Sequence, residues 1–329
     1  MARPGSSPLR RHSGPPVCRR RALLAALAPL PWGCASARQL RLAGHPWPGY
    51  EPMFLARAMG WLPATVELVE SASLQDTLAL TRQGRIDGAM LTLDEVLQLR
   101  DQGHALRVVL VFDVSRGADV LLVRPEIRSL AALRGRRIGV EDTALGTLML
   151  TLVLERAGLR RQDVVVHRID YQRHETAWRG QEVDAVITYE PVAGRLGALG
   201  ARALLSTRQL PDTIFDVLAV RTEALQTQGE QLRAGLAAYF RALGYLRQNP
   251  WDAAYRVAPR LQVSAEGLID SLRGLELPDR IGNRRYLADE DSPLLQAARR
   301  LSPIMQQAGL LKQPVDTRNL VSSAFLPPS

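Results

Sequence analysis

His45-Pro46-Trp47-Pro48-Gly49-Tyr50-Glu51-Pro52 is the stretch on which the reading of this chain turns. Before it, Gln39–Gly44 has the composition of a short buried strand; after it, Met53–Trp61 reads as a helix. Three prolines and a glycine stop either element from running through. Two large rings, Trp47 and Tyr50, are left on a stiff loop at a strand end, the usual place for a ligand in an open α/β sheet. The plainer alternative is that both rings plug the top of a core.

Outward from this loop, short apolar strands alternate with helical patterns. Val66–Val69, Ile86–Leu91 and Leu106–Phe112 read as strands, separated by helices at Leu74–Gln83, started by Ser71 or Ser73, and after Thr92, which with Glu95 forms a capping box. This βαβαβ order predicts parallel pairing through right-handed crossovers. Ala118–Val123 gives one more strand. After Arg124-Pro125-Glu126 the alternation restarts, with strands at Arg137–Val140, Val164–His167, Val183–Ile187 and Ala201–Leu205 and helices at Leu130–Leu133, Gly146–Ala157 and Glu175–Arg179. Phe215–Val220 is expected to return to the first sheet, and helices fit Gln231–Gln248, Trp251–Ala258, Ser264–Gly274 and Leu294–Gly309. Two α/β lobes joined by crossings near Arg124 and Leu210 leave a cleft, and such a hinge permits rigid closure on a ligand.

The 329 residues and 46% hydrophobic content suffice for two cores. The net charge of +9 is mostly local. Six arginines and no acid precede Cys34, so the rest carries 36 basic against 33 acidic residues, interspersed. No basic stripe with interleaved aromatics is present, which argues against nucleic acid as a partner. Residues 1–36 read as an export leader: a basic Pro/Ser/Gly-rich segment ending in Arg19-Arg20-Arg21, then the apolar Ala22–Leu30, too short to span a bilayer. Cleavage after Ala35 or Ala37 predicts a soluble product; Cys34 after Gly33 weakly resembles a lipid acceptor, and the paired arginines loosely resemble a twin-arginine signal. A basic tail on a cytosolic protein is the remaining alternative. Both cysteines, Cys18 and Cys34, fall in this segment, so the folded part has no disulfide and no cysteine-based metal site or nucleophile.

Candidate contacts come from strand ends and helix starts: Trp47, Tyr50, Ser71, Thr92 and Asp119 from one lobe, Glu141, Asp142, Thr143, Tyr189 and Glu190 from the other, and Asp216 at the return crossing. Helix capping is an equally good account of Thr92, Glu141 and Asp142. Asp119 and Glu190 interrupt apolar runs and are harder to explain that way. Acids and rings together favour an amine-bearing or flat-ring guest over a simple oxyanion, which would want arginine or free backbone donors. The histidines His12, His45, His104, His167 and His174 form no metal-binding pair, and no nucleophile elbow, P-loop or dinucleotide fingerprint is present. Binding without turnover, with no cofactor or metal, is the expectation.

Pro46–Pro52, Gly84–Ala89 (G-R-I-D-G-A), Ser115–Asp119, Leu133–Gly139 (L-R-G-R-R-I-G) and Thr188–Pro191, in this order, resemble the periplasmic substrate-binding proteins of nitrate/sulfonate/taurine-type ABC transporters. That superfamily also includes binders of thiamine pyrimidine precursors. The resemblance implies an α/β fold: a two-lobed periplasmic-binding-protein-like clamp of type II, each lobe a mostly parallel sheet flanked by helices, with a helical C-terminal region. Lobe 1 is expected at 37–124 plus 211–329 and lobe 2 at 125–210. It implies a small-molecule ligand held by Trp47, Tyr50, Thr92, Asp119, Asp142, Thr143, Tyr189, Glu190 and Asp216, an ABC permease as partner, a monomer, and the periplasm as location, soluble or anchored through Cys34. Glu141-Asp142 departs from the Ser/Thr-rich anion contacts common in such relatives, and the cysteine-rich motif of the pyrimidine-synthesising members is missing. A sensory binding protein that reports to a membrane receptor, and an enzyme on the same clamp like the menaquinone-pathway relatives, are the other functions such a fold serves.

Overall fold

The structure is a computed structural model that describes residues 38–288 and 290–328, together with Gly14. The leader, with Cys18, Cys34 and the cleavage positions at Ala35 and Ala37, lies outside the described residues.

The chain enters as β1 (Leu40–Gly44), a short helical turn at Pro48–Tyr50, and α1 (Glu51–Ala58). The helix starts two residues before the predicted Met53, because proline is at home in a first helical turn, where its missing N–H costs nothing. β2 (Val66–Glu70), α2 (Leu74–Arg82), β3 (Gly88–Thr92), α3 (Leu93–Asp101) and β4 (Leu106–Ser115) follow. Ser73 caps α2, its hydroxyl accepting from the Asp76 N–H at 3.1 Å. β5 (Asp119–Val123), β6 (Arg137–Val140), α4 (Ala144–Ala157), β7 (Val165–Arg168), α5 (His174–Arg179), β8 (Ala185–Tyr189), α6 (Val192–Ala198) and β9 (Arg202–Ser206) build the second half. β10 (Phe215–Arg221) leads to α7 (Thr222–Thr227), α8 (Gly229–Gln248), α9 (Pro250–Val257) and α10 (Ala265–Leu272), then β11 (Leu275–Glu276), α11 (Arg280–Tyr286) and α12 (Pro293–Gln307).

Two sheets form, in the orders β11-β4-β10-β3-β1-β2 and β7-β6-β8-β5-β9. β1 pairs in parallel with β2 and β3, as the alternation predicts. β4 keeps the direction of β3 but does not touch it: β10 returns to the first sheet and lies between them, antiparallel to both. The second sheet repeats the device. β5 crosses over from the first half and lies antiparallel between β8 and β9. The expected boundary near Arg124, which left Ala118–Val123 in the first lobe, is therefore corrected: this strand belongs to the second sheet. All five of its residues are buried, and an apolar strand covered on both faces looks the same whichever sheet receives it.

The crossings are short, at Arg116–Ala118 and Thr207–Ile214, and are tied to each other. The Ser115 and Thr207 hydroxyls lie 2.7 Å apart, and the Gly117 N–H donates to Thr207 Oγ1 at 2.7 Å. Gly117 has φ 129°, a region that other residues rarely adopt. Helices cover both sheets, and the C-terminal helices extend the first lobe, where α1, α8, α9 and α10 share a core of Leu55, Ala242, Leu246, Ala254 and Leu268.

Candidate ligand-binding site

The sheet registers decide what meets at the interface between the lobes. On the first sheet Asp216 of β10 stands opposite Thr92 of β3 on one side and Asp113 of β4 on the other, so the three residues form a row. On the second sheet Asp119 of β5 stands opposite Tyr189 of β8. Thr92 and Asp216 of the first row face Asp119 and Tyr189 across an inner chamber of about 20 Å³, also bounded by His45, Trp47, Leu74, Glu95 and Leu145. It adjoins a wider cavity of about 450 Å³ that shares His45, Leu74 and Tyr189 and takes in Ser73 and Arg260 from the first lobe and Glu141, Tyr171 and Gln172 from the second.

The loop between β1 and α1 is held where the sequence suggests, and the reason is visible. Trp47 is extended, and its indole N–H donates to Asp113 Oδ2 at 3.0 Å. The Tyr50 hydroxyl donates to Asp216 Oδ1 at 2.5 Å, and its ring packs between His45 and Phe112. Trp47 then meets Tyr189 edge to face, centroids 5.6 Å apart, so one ring from each lobe closes the chamber. Tyr171 stacks on Tyr189 at 4.3 Å and 5°. Two further bonds join the lobes: Gln75 Nε2 to Glu141 Oε1 at 3.1 Å and Gln172 Nε2 to the Ala72 carbonyl at 3.5 Å.

The inner chamber is acidic. Burial pushes Asp119 up to about 6, against a Ser115 hydrogen bond that favours its charge. Burial lifts Asp113 to about 8 despite the Trp47 hydrogen bond, with the Asp119 charge adding to the rise. Glu95 and Asp216 rise well above the carboxylate range, first by burial and then by like charge, from Asp94 and Asp113 respectively. His45 moves the other way, down to about 3, through burial and the nearby Arg260 charge, and is neutral at physiological pH. Arg260, in the wider cavity, is committed: it pairs with Glu51 and with Glu70 at 3.1 Å, donates to the Gly44 carbonyl at 3.1 Å and lies over the Phe54 ring.

Of the nine expected contact residues, five line the chamber: Trp47, Thr92, Asp119, Tyr189 and Asp216. Asp119 comes from the same side as Tyr189, not from the side of Trp47, because β5 belongs to the second sheet. Tyr50 lies beneath, fully buried, and holds Asp216 rather than facing the space. Asp142, Thr143 and Glu190 line neither cavity. Asp142 is exposed and pairs with Arg168 at 3.5 Å; Thr143 caps α4 by accepting from the Gly146 N–H at 2.9 Å; Glu190 accepts from the Gly194 N–H at 3.1 Å. His45 and Glu95 line the chamber and Asp113 holds Trp47 in place, and none of the three was among the candidates; Glu141, which was a candidate, lines the wider cavity. Asp113 carried a usable signal, since it interrupts the apolar run of β4 as Asp119 does that of β5. Glu95 read only as half of a capping box, and that bond is made, the Thr92 N–H donating to Glu95 Oε2 at 3.2 Å. Its other oxygen, Oε1, is buried and accepts no hydrogen bond from the described residues. Among the described residues, no group of side chains has the makings of a metal site.

A pair of α/β lobes with exchanged strands and a cleft between them is the periplasmic-binding-protein-like clamp. The periplasmic aliphatic sulphonate binding protein SsuA of Escherichia coli has it, with a TM-score of 0.72 at 18% identity over 87% of this chain and 98% of that one. So does the alkanesulfonate-binding protein SsuA of Xanthomonas axonopodis pv. citri, solved with MOPS bound (0.69, 18%, 86% and 96%). The desulfurization enzyme DSZB shares the fold as well (0.64, 19%, 87% and 97%). Residues 47–253, more than half of the chain, match the NMT1/THI5 like family model, and the chain belongs to that family. Proteins of Brucella abortus and Brucella suis that are named, by inference, as binding proteins are 25% identical over 155 residues, 46% of this chain. The chain spans about half the length of these curated relatives, 49%.

Proposed function

We propose that this chain is an exported solute-binding protein that captures a small molecule between its two lobes and delivers it to an ABC permease. The observation that carries this reading is that the inner chamber has walls from both lobes, Trp47 and Asp216 on one and Asp119 and Tyr189 on the other, so it is complete only when the lobes meet. Capture and closure are then one event. The guest is amine-bearing or carries a flat ring in preference to a simple oxyanion, since acids and aromatic faces line the chamber and no arginine or lysine does. Residues 1–36 supply export, the periplasm is the location, soluble or anchored through Cys34, and the clamp works as a monomer. Among the described residues, no helix is long and apolar enough to cross a membrane.

Small-angle scattering on the mature protein across a broad ligand screen tests the reading. One compound should bind at micromolar Kd and reduce the radius of gyration. A screen in which binding never compacts the protein refutes it. A neighbouring permease and ATPase gene pair separates delivery from sensing, and turnover of a bound compound by the purified protein would instead place it with the enzymes of this fold.

A further inference from the structure

Closure gathers buried carboxyls that have too few hydrogen-bond donors and no counter-charge. Glu95 and Asp113 are fully buried, and Asp119 and Asp216 are each 3% exposed. Glu95 Oε1, Asp113 Oδ1 and Asp119 Oδ2 accept no hydrogen bond from any of the described residues. Glu95, Asp113 and Asp216 belong to the first lobe and Asp119 to the second, and Asp119 follows the hinge crossing directly. Bringing the lobes together therefore brings like charges together in a medium where they interact strongly. An unpaired buried charge is among the costliest things a fold can contain.

We propose that the guest is a small organic cation with a primary ammonium group, held in the inner chamber between Glu95 and Asp216 of one lobe and Asp119 of the other. The rest of the molecule lies in the wider cavity against Tyr171 and Tyr189. This rests on the binding reading above and names its substrate class. An ammonium is about the size of a water molecule, and a chamber of about 20 Å³ admits one such group and little more. Its three N–H donors match acceptors that converge from two sides. A sulfonate would meet only like charge there, and a quaternary ammonium is too bulky and has no proton to donate. The cation acts as the clasp, because it converts the repulsion that opposes closure into attraction on both lobes.

The groups around the chamber set the pH behaviour. On the first lobe these are Asp94 and Glu95 of α3, Asp113, Asp216, Tyr50 and the neutral His45; on the second, Asp119, Tyr189 and Glu141. The cations beside them are Arg260, which acts on His45 and is paired with Glu51 and Glu70, and, on the second lobe, Arg168, paired with Asp142, and Arg195 of the wider cavity, paired with Glu175. Without a guest, protonation of the carboxyls relieves the repulsion, so acid should close the lobes and mild base should open them. Binding of a cation should expel protons.

Three measurements on the mature chain decide this. In calorimetry, phenethylamine and butane-1,4-diamine should bind with proton release near pH 6–7, whereas phenethyltrimethylammonium and 2-phenylethanesulfonate should not bind. Asp119→Asn and Glu95→Gln should each weaken the amines by about tenfold or more, with ligand-free thermal stability unchanged or raised. In scattering, the ligand-free protein should be more compact at pH 5 than at pH 8, and the triple variant Glu95→Gln/Asp119→Asn/Asp216→Asn compact at both. This arm needs no knowledge of the natural guest. Native mass spectrometry of the protein as purified should show any retained small molecule to be a primary amine. A retained or tightly bound anion or neutral molecule that closes the lobes overturns the cation class and leaves the binding reading standing. Identical scattering at both pH values and in the variant overturns the clasp. Failure of every compound to bind or compact the protein overturns both readings.

Discussion

Gly49→Ala should disable the loop that carries Trp47 although it adds a single methyl group. A Cβ built at Gly49 falls 1.7 Å from Asp113 Oδ2 and 2.8 Å from Trp47 Nε1. That is the very pair whose 3.0 Å hydrogen bond fixes the indole against the chamber. Glycine is needed here for close approach. To reach an ordinary separation of about 3.5 Å the carboxylate must swing away, and its surroundings are fully buried. Losing the indole donor to a buried acceptor costs about 1–3 kcal/mol, and the overpacking about 1–3 kcal/mol more. Taken together, a loss of about 2–6 kcal/mol lowers Tm by about 4–12 °C, at about 2 °C per kcal/mol in a chain of this size. Denaturant unfolding of Gly49→Ala, Asp113→Ala and the double variant measures it. Because Asp113→Ala removes the obstacle, the double variant should be less destabilised than the two single losses added, with a coupling of about 1 kcal/mol or more. A Gly49→Ala variant within about 0.5 kcal/mol of the parent, or strict additivity, refutes the argument.

Stability of the ligand-free protein should fall as pH rises from about 6.5 to 8. Asp94 at about 7 and Asp113 at about 8 hold protons in the folded state that the unfolded chain has already lost. The buried histidines oppose the fall without cancelling it: His45 at about 3 and His174 at about 4 refuse protons that unfolded histidines, half-protonated near about 6.5, have largely released by about pH 7.5. A thermal scan series that is flat or rising between those pH values contradicts the assignment, and Asp113→Asn should flatten the slope. Thr143→Ala should cost about 1 kcal/mol through loss of the α4 cap, and the exposed Asp142→Ala less than about 0.5 kcal/mol. Guest affinity should stay unchanged in both, and a loss of affinity in either would restore that residue to the site.

The architecture was largely legible because it is written in local pattern. Strand and helix periods, the Ser73 cap and the Thr92–Glu95 pair each depend on residues close in sequence, and the return of Phe215–Val220 to the first sheet follows from the hinge topology. Trp47 was found because prolines confine it to a strand-end loop. That Asp142, Thr143 and Glu190 line neither cavity was not legible: a polar residue at a helix start can face a cleft or only its own backbone, and composition is alike in both cases.

Sequence by itself determined the order of elements, the two α/β halves, the aromatic loop at Trp47 and the family. Tertiary structure alone decided that β5 inserts into the second sheet, which turns Asp119 toward acids more than 90 residues away in sequence on β10 and close by on β4 and α3. Charge density of that kind has no signature along the chain, because each carboxylate is unremarkable among its own neighbours. It comes into being when strands exchanged at the hinge place acids from three separate elements, Glu95 of α3, Asp119 of β5 and Asp216 of β10, around one small volume.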